Sequence, residues 1–174
     1  QSGCNRILGL MRRRYKRETF EDRVSLIRKH IPLAGIGADV IVGFPGETDS
    51  DFKDTLDFLN DLPLSYLHVF SFSERPGTIA ATLRGKIDHH EKERRSKLLI
   101  SLSESKNIVF IKNNIGQVAN VLFEKTKSAG MITGYTENYL KVDHPWDPDL
   151  AGQIYKVKLT GMTPGGNVSI QLIH

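Results

Sequence analysis

The segment from Ala38 to Phe70 constrains the fold more than any other part of the chain. Ala38-Asp39-Val40-Ile41-Val42 is a short β-branched run that stops at Gly43, the pattern of a buried strand. Thr48-Asp49-Ser50-Asp51 then opens a helix, with the threonine as cap and the carboxylates at the positive end of its dipole. Phe52, Leu56 and Leu59 form its apolar stripe, Pro63 closes it, and Tyr66-Leu67-His68-Val69-Phe70 reads as a second strand. Strand, helix and strand joined by short connections make a parallel βαβ unit with a right-handed crossover. The flanks extend the alternation. Residues 5–13 read as a short helix. Residues 19–31 read as a longer one, with Phe20, Val24, Ile27 and Ile31 on one face, Thr19 and Asp22 spaced as a capping box, and Pro32 as its stop. Residues 89–112 read as a long charged helix with Leu98, Leu102 and Val109 on its apolar side.

From Gly116 the period changes from helical to two. Val118 to Phe123, Met131 to Tyr135, Tyr139 to Val142, Gln153 to Leu159 and Val168 to Leu172 are short runs separated by Gly, Asn, Asp and Pro. They predict a small all-β barrel. The expected organisation is therefore an α/β domain over residues 1–114 with parallel strands, followed by a β-barrel over residues 115–174.

Composition narrows the function classes. The net charge of +4, from 24 basic and 20 acidic residues, is too small for a bulk polyanion binder, so nucleic-acid contact must come from local patches. No apolar run approaches the ~20 residues of a membrane span. The opening Gln1-Ser2-Gly3-Cys4 lacks the basic and apolar regions of a signal peptide, and the expected compartment is the cytoplasm. One cysteine excludes an internal disulfide framework and any cluster or zinc site built on several thiolates of this chain.

Several motifs carry chemistry, each with a plainer alternative. Gly43-Phe44-Pro45-Gly46-Glu47-Thr48 lies where a strand passes into a helix, the end of a parallel strand at which ligands bind. It is also simply a tight βα turn, and it is not a Walker loop. Arg12 to Arg17 is either an RNA-phosphate contact or a solvated helix end. Asp39, in an apolar strand, is either a buried and paired structural group, the favoured reading, or a ligand contact. His89 and His90, adjacent on a helix, are expected to point apart, and no metal site is expected. Cys4 reads as a small packing residue. In the barrel, Lys125, Lys127, Tyr135, Tyr139, Lys141, His144 and Trp146 mix bases with aromatics, a composition that serves stacking and phosphate contact, or core packing in part.

Taken in order, these pieces resemble one family. Gln1-Ser2-Gly3-Cys4, Leu10-Met11-Arg12-Arg13-Arg14-Tyr15, Ala38 to Thr48 with Asp51-Phe52, and Phe70-Ser71-Phe72-Ser73-Glu74-Arg75-Pro76-Gly77-Thr78 with Ala80 resemble the radical S-adenosylmethionine tRNA methylthiotransferases. Gly134-Tyr135-Thr136-Glu137-Asn138-Tyr139 resembles their C-terminal TRAM domain. The cysteine after Gln-Ser-Gly and the triple arginine resemble the branch that acts on threonylcarbamoyl-adenosine. The resemblance implies the later part of a radical-SAM α/β barrel followed by a TRAM barrel. In full-length enzymes it implies S-adenosylmethionine and [4Fe–4S] clusters, the catalytic one bound through a CxxxCxxC motif that this sequence does not contain and a second on a separate N-terminal domain. It further implies cleavage of the cofactor to a 5′-deoxyadenosyl radical and insertion of a methylthio group into a modified adenosine of tRNA.

By position, the resemblance assigns Gln1, Ser2, Arg13, Val40, Ile41, Gly43, Phe70 and Ser73 to cofactor binding, with Arg13 facing the cofactor carboxylate. It places Arg75 near the substrate, while Lys125, Lys127, Tyr135, Tyr139 and Lys141 are the RNA candidates by the barrel's mix of bases and aromatics. Glu47 departs by one place from the superfamily pattern. The chain alone is expected to be inactive, to hold no cofactor tightly, to bind tRNA modestly and to self-associate through an open barrel edge. Two other readings remain open at this point. One is a stand-alone RNA-binding protein; the other is a different α/β enzyme that uses the 43–48 loop for a phosphate.

Overall fold

The computed structural model describes residues 1–173, apart from the side chain of Lys127. The chain divides into two compact units. The first comprises Gln1–Pro32 and Ile36–Lys106; the second comprises Leu33–Gly35 and the chain from Asn107 onward.

In the first unit, helices α1 (Asn5–Leu10) and α2 (Arg17–His30) precede strand β1 (Gly37–Val42). Helix α3 (Asp49–Asp61) leads to strand β2 (Tyr66–Ser71), and a single turn, α4 (Ile79–Thr82), precedes the long helix α5 (His89–Asn114). β1 and β2 pair in parallel, as the βαβ pattern requires. The start of α3 follows the sequence signal closely. Thr48 Oγ1 accepts from the Asp51 N–H, and the Asp51 carboxylate accepts in return from the Thr48 N–H, a complete capping box.

Four local expectations are corrected. Helix α2 starts from Lys16 without a side-chain cap, so the Thr19–Asp22 box does not form. Its inner face runs through Phe20, Val24 and Arg28, while Ile27 and Ile31 are exposed. On α5, Leu98 and Val109 are exposed, and the inward face is Arg95, Leu99, Ser103, Lys106, Phe110 and Asn114. That face is half polar. Ser103 bonds both the N–H and the carbonyl of Leu67, and Lys106 donates to the Asn60 and Leu62 carbonyls at the end of α3. A search for apolar spacing misses a stripe in which serine and lysine satisfy buried backbone groups. Finally, Asp39 is exposed rather than buried and paired.

The second unit is a closed barrel of strands β3 (Val118–Ser128), β4 (Met131–Thr136), β5 (Lys141–Pro145), β6 (Ile154–Met162) and β7 (Val168–Leu172), in the order β3-β4-β5-β7-β6. Val121, Phe123, Ile132, Val142, Val157, Leu159 and Val168 alternate inward and fill it, and Phe110 and Ile111 of α5 close the same core. Closure pairs every strand of this unit on both sides. The Asn138 side chain donates to the Leu33 carbonyl at 2.7 Å and to Asn114 Oδ1 at 2.9 Å, which pins the β4–β5 turn. Among the described residues, no helix is long and apolar enough to cross a membrane.

Candidate functional site

The parallel register sets Gly37 opposite Tyr66, Asp39 opposite His68, and Ile41 opposite Phe70. Because side chains alternate, these three pairs share one face, and Ala38–Leu67, Val40–Val69 and Val42–Ser71 share the other. On the second face Val40, Val42 and Leu67 are buried. The first face is open: Asp39 and His68 are exposed, and Phe70 is 52% exposed. A parallel sheet is normally covered on both faces, so an uncovered face with an aspartate, a histidine and a phenylalanine stands out as a candidate site. The sequence pattern does not single out His68. The signal that finds it is the cross-strand register, which pairs it with Asp39.

At the carboxyl ends of the strands this face opens into a cavity of about 480 Å³ lined by Gln1, Ile41, Phe70, Phe72, Ser73 and Arg75, among others. The walls are mostly apolar, with one guanidinium and a few hydroxyls, the make-up of a pocket for a small organic ligand that carries an anionic group. A second cavity, of about 320 Å³, runs along the opposite edge of β1 and is lined by Gln1, Ser2, Tyr15, Phe20, Asp39, Val40 and Phe58. Gln1 borders both. Its carbonyl accepts from the Ile41 N–H at 2.9 Å, on the edge of β1 away from β2. Tyr15 lies beside Gln1 in the second cavity.

The cofactor residues assigned by position are thus divided. Gln1, Ile41, Phe70 and Ser73 share the strand-end cavity with Arg75. Val40 points to the buried face. Ser2 is buried, with its hydroxyl 3.0 Å from that of Thr55 and accepting from the Cys4 N–H, so it holds α1 against α3. Arg13 is exposed beside Gln1. Gly43 takes φ +73°, and a Cβ there would lie 2.4 Å from Lys92 Cγ, so glycine is the residue that fits this turn.

The 43–48 loop owes its shape to Glu47. This buried carboxylate accepts from the Gly43 N–H at 2.8 Å and from Arg95 Nη1 at 2.8 Å. Arg95 also donates to Asp49 and Glu91 and lies over the Phe52 ring. Burial pushes the Glu47 carboxyl above its ordinary range, and the Gly43 and Arg95 bonds only partly offset this. One turn away, Arg6 grips Asp51, and with Thr48 it holds that carboxyl well below the usual range despite its burial. Cys4 is buried, and its thiol donates to Asp51 at 3.3 Å. Arg95 carries no signal in the sequence pattern, since its partners Asp49 and Glu47 lie 46 and 48 positions away.

On the barrel, Tyr135 of β4 stands opposite Lys141 of β5 and Leu122 of β3, and Leu122 stands opposite Ile154 of β6. The four make one outward row, with Ile154 68% and Leu122 54% exposed. Tyr139, at φ +66° in the β4–β5 turn, is 75% exposed. Lys125 sits toward the other end of β3, in the irregular stretch before Lys127, with its stem over Gly152. The side chain of Lys127 lies outside the described residues.

No family model matches the chain. The chain is 39% identical over 163 residues to the threonylcarbamoyladenosine tRNA methylthiotransferase of Bacillus subtilis, covering 91% of this chain and 36% of that protein. It is 40% identical over 142 residues to the protein of the same name from Aquifex aeolicus, covering 82% of this chain and 33% of the relative. It is 37% identical over 163 residues to a tRNA-2-methylthio-N(6)-dimethylallyladenosine synthase of Pelotomaculum thermopropionicum, covering 92% of this chain and 36% of the relative. The chain thus spans about a third of the length of the curated relatives it matches, and both named activities occur among them at nearly equal identity.

Proposed function

We propose that the chain belongs to the tRNA methylthiotransferase family, to whose members it is 37–39% identical, and that it is the carboxy-terminal portion of an enzyme that inserts a methylthio group into a modified adenosine of tRNA. On this reading, residues 1–114 are the later part of a radical-SAM α/β barrel, and residues 115–174 are a TRAM barrel that binds RNA in the cytoplasm. The observation that carries the reading is the open sheet face of Ile41 and Phe70, which ends in a cavity with Gln1, Ser73 and Arg75. In a longer barrel that face would be the interior.

The residues of that cavity fit S-adenosylmethionine, which would supply the radical chemistry when bound. Ile41, Phe70 and Phe72 offer an apolar surface for its adenine, and Gln1 and Ser73 offer polar groups for its ribose. The apolar walls exclude water from the reacting region. Arg75 offers a bidentate partner for a carboxylate or for an RNA phosphate. Gly43, held by Glu47, keeps the loop backbone close to the strand ends. The residues do not fit an iron–sulfur cluster, because the chain's one cysteine is buried against Asp51, and alone the chain would be inactive. The threonylcarbamoyl-adenosine branch is favoured by Cys4 after Gln-Ser-Gly and by the triple arginine at 12–14.

A chimera tests both activity and branch. The corresponding third of the Bacillus subtilis enzyme is replaced by this chain, and tRNA nucleosides from a strain lacking the native enzyme are analysed by mass spectrometry. Methylthiolated threonylcarbamoyladenosine is expected. Thiolation of dimethylallyladenosine instead would move the chain to the other branch, and a folded, cluster-loaded chimera that thiolates neither would overturn the proposal.

A further inference from the structure

We propose that His89, His90 and Glu93, at the start of α5, form a binding site for one divalent transition-metal ion of the zinc, nickel or copper type. Adjacent residues on a helix diverge by about 100°, which is why the two histidines are expected to point apart. In the first turn they do not: their ring centroids are 6.1 Å apart. Glu93 follows His89 by four positions and His90 by three, the spacings at which helical side chains meet. One ligand atom from each of the three lies within 4.8 Å of the others, so small rotations of exposed side chains bring all three to a common ion.

The donor set decides the class of ion. Two imidazoles and one carboxylate suit zinc, nickel or copper, whereas magnesium and calcium prefer all-oxygen shells. Three protein ligands on an exposed surface leave further positions to water, as in an open zinc site. The competitor for these donors is weak. Lys97 holds Glu93 at 2.8 Å, but that pair is exposed and exchanges readily. The turn itself is preset, because the Asp88 carboxylate accepts from the His90 N–H at 3.2 Å. The ion would fasten the first turn of the helix whose next residues hold the candidate site: Lys92 donates to the Phe72 carbonyl, and Arg95 holds Glu47.

Calorimetric titration of the whole chain with zinc chloride, with magnesium chloride as control, tests the site. One zinc per chain is expected, with no saturable heat for magnesium. H89A/H90A should weaken zinc binding by at least roughly tenfold, and should abolish any zinc-dependent rise in the thermal midpoint. K97A should bind zinc as tightly as the parent or more so, because it releases Glu93. Absence of saturable zinc binding, or an unchanged affinity in H89A/H90A, would overturn the proposal. A loss of affinity in K97A would remove Glu93 from the site.

Discussion

Arg95 reaches across from α5 to Glu47 and donates to its carboxylate at 2.8 Å, with both side chains at most 3% exposed. The pair links the loop after β1 to a helix 48 positions later. Replacing Arg95 by methionine leaves an unpaired carboxylate in the interior, and a loss of about 3–5 kcal/mol is expected from urea unfolding at neutral pH. Glu47 already has a raised pKa in the folded state, and the substitution raises it further. The folded state of the variant therefore binds a proton more readily than the unfolded chain. Its deficit should shrink as pH falls through the raised value toward the ordinary 4.5, and grow as pH rises. A deficit independent of pH would show that Glu47 is not the group left stranded.

Glu91 makes the opposite prediction. Arg94 and then Arg95 hold its carboxyl down to about 2 from an ordinary 4.5. A carboxyl depressed on folding contributes stability above its unfolded value and loses that contribution as pH falls toward the folded one. The urea midpoint should thus drop between pH 4.5 and 2. That slope should be shallower in E91Q, measured over the same range.

Leu99 is wholly buried, and Leu98 beside it is 41% exposed. Leu99→Ala should cost about 2–5 kcal/mol through lost burial and the cavity left behind. Leu98→Ala should fall within about 0.5 kcal/mol of the parent. Equal losses in chemical denaturation would mean that the helix turns a different face to the core.

RNA binding by the barrel should be modest, on the order of 10⁻⁴–10⁻⁶ M, and should weaken as salt rises. Substitution of Lys125, Lys127 and Lys141 by alanine should weaken binding similarly for different tRNAs and flatten the salt dependence, because phosphate contacts carry little sequence information. Filter retention across a salt series reads this directly. Unchanged retention would place the RNA surface elsewhere.

Local signals are legible wherever one short segment carries its own reason. Thr48 and Asp51 announce the cap of α3, the β-branched run announces β1, and the period-two runs after Gly116 announce the barrel strands. The same reading misplaces the inner face of α5, because Ser103 and Lys106 are turned inward for the backbone groups they satisfy rather than for their apolarity. It expects Asp39 to be buried, because the strand around it is apolar. Only the register with β2 shows that Asp39 lies on the open face with His68.

The sequence by itself determined the order of the main helices and strands and the single cysteine. Caps, propensities, motifs and composition act over a few residues or none at all, and so can be read along the chain. Tertiary structure alone decided which face of β1 and β2 is open, that Ile41, Phe70, Ser73 and Arg75 share one cavity, that Arg95 holds the loop, and that Tyr135 stands beside Lys141. Each of these depends on strand register or on a partner far away in sequence. Register shifts by one residue exchange the two faces of a strand, and no local propensity distinguishes them.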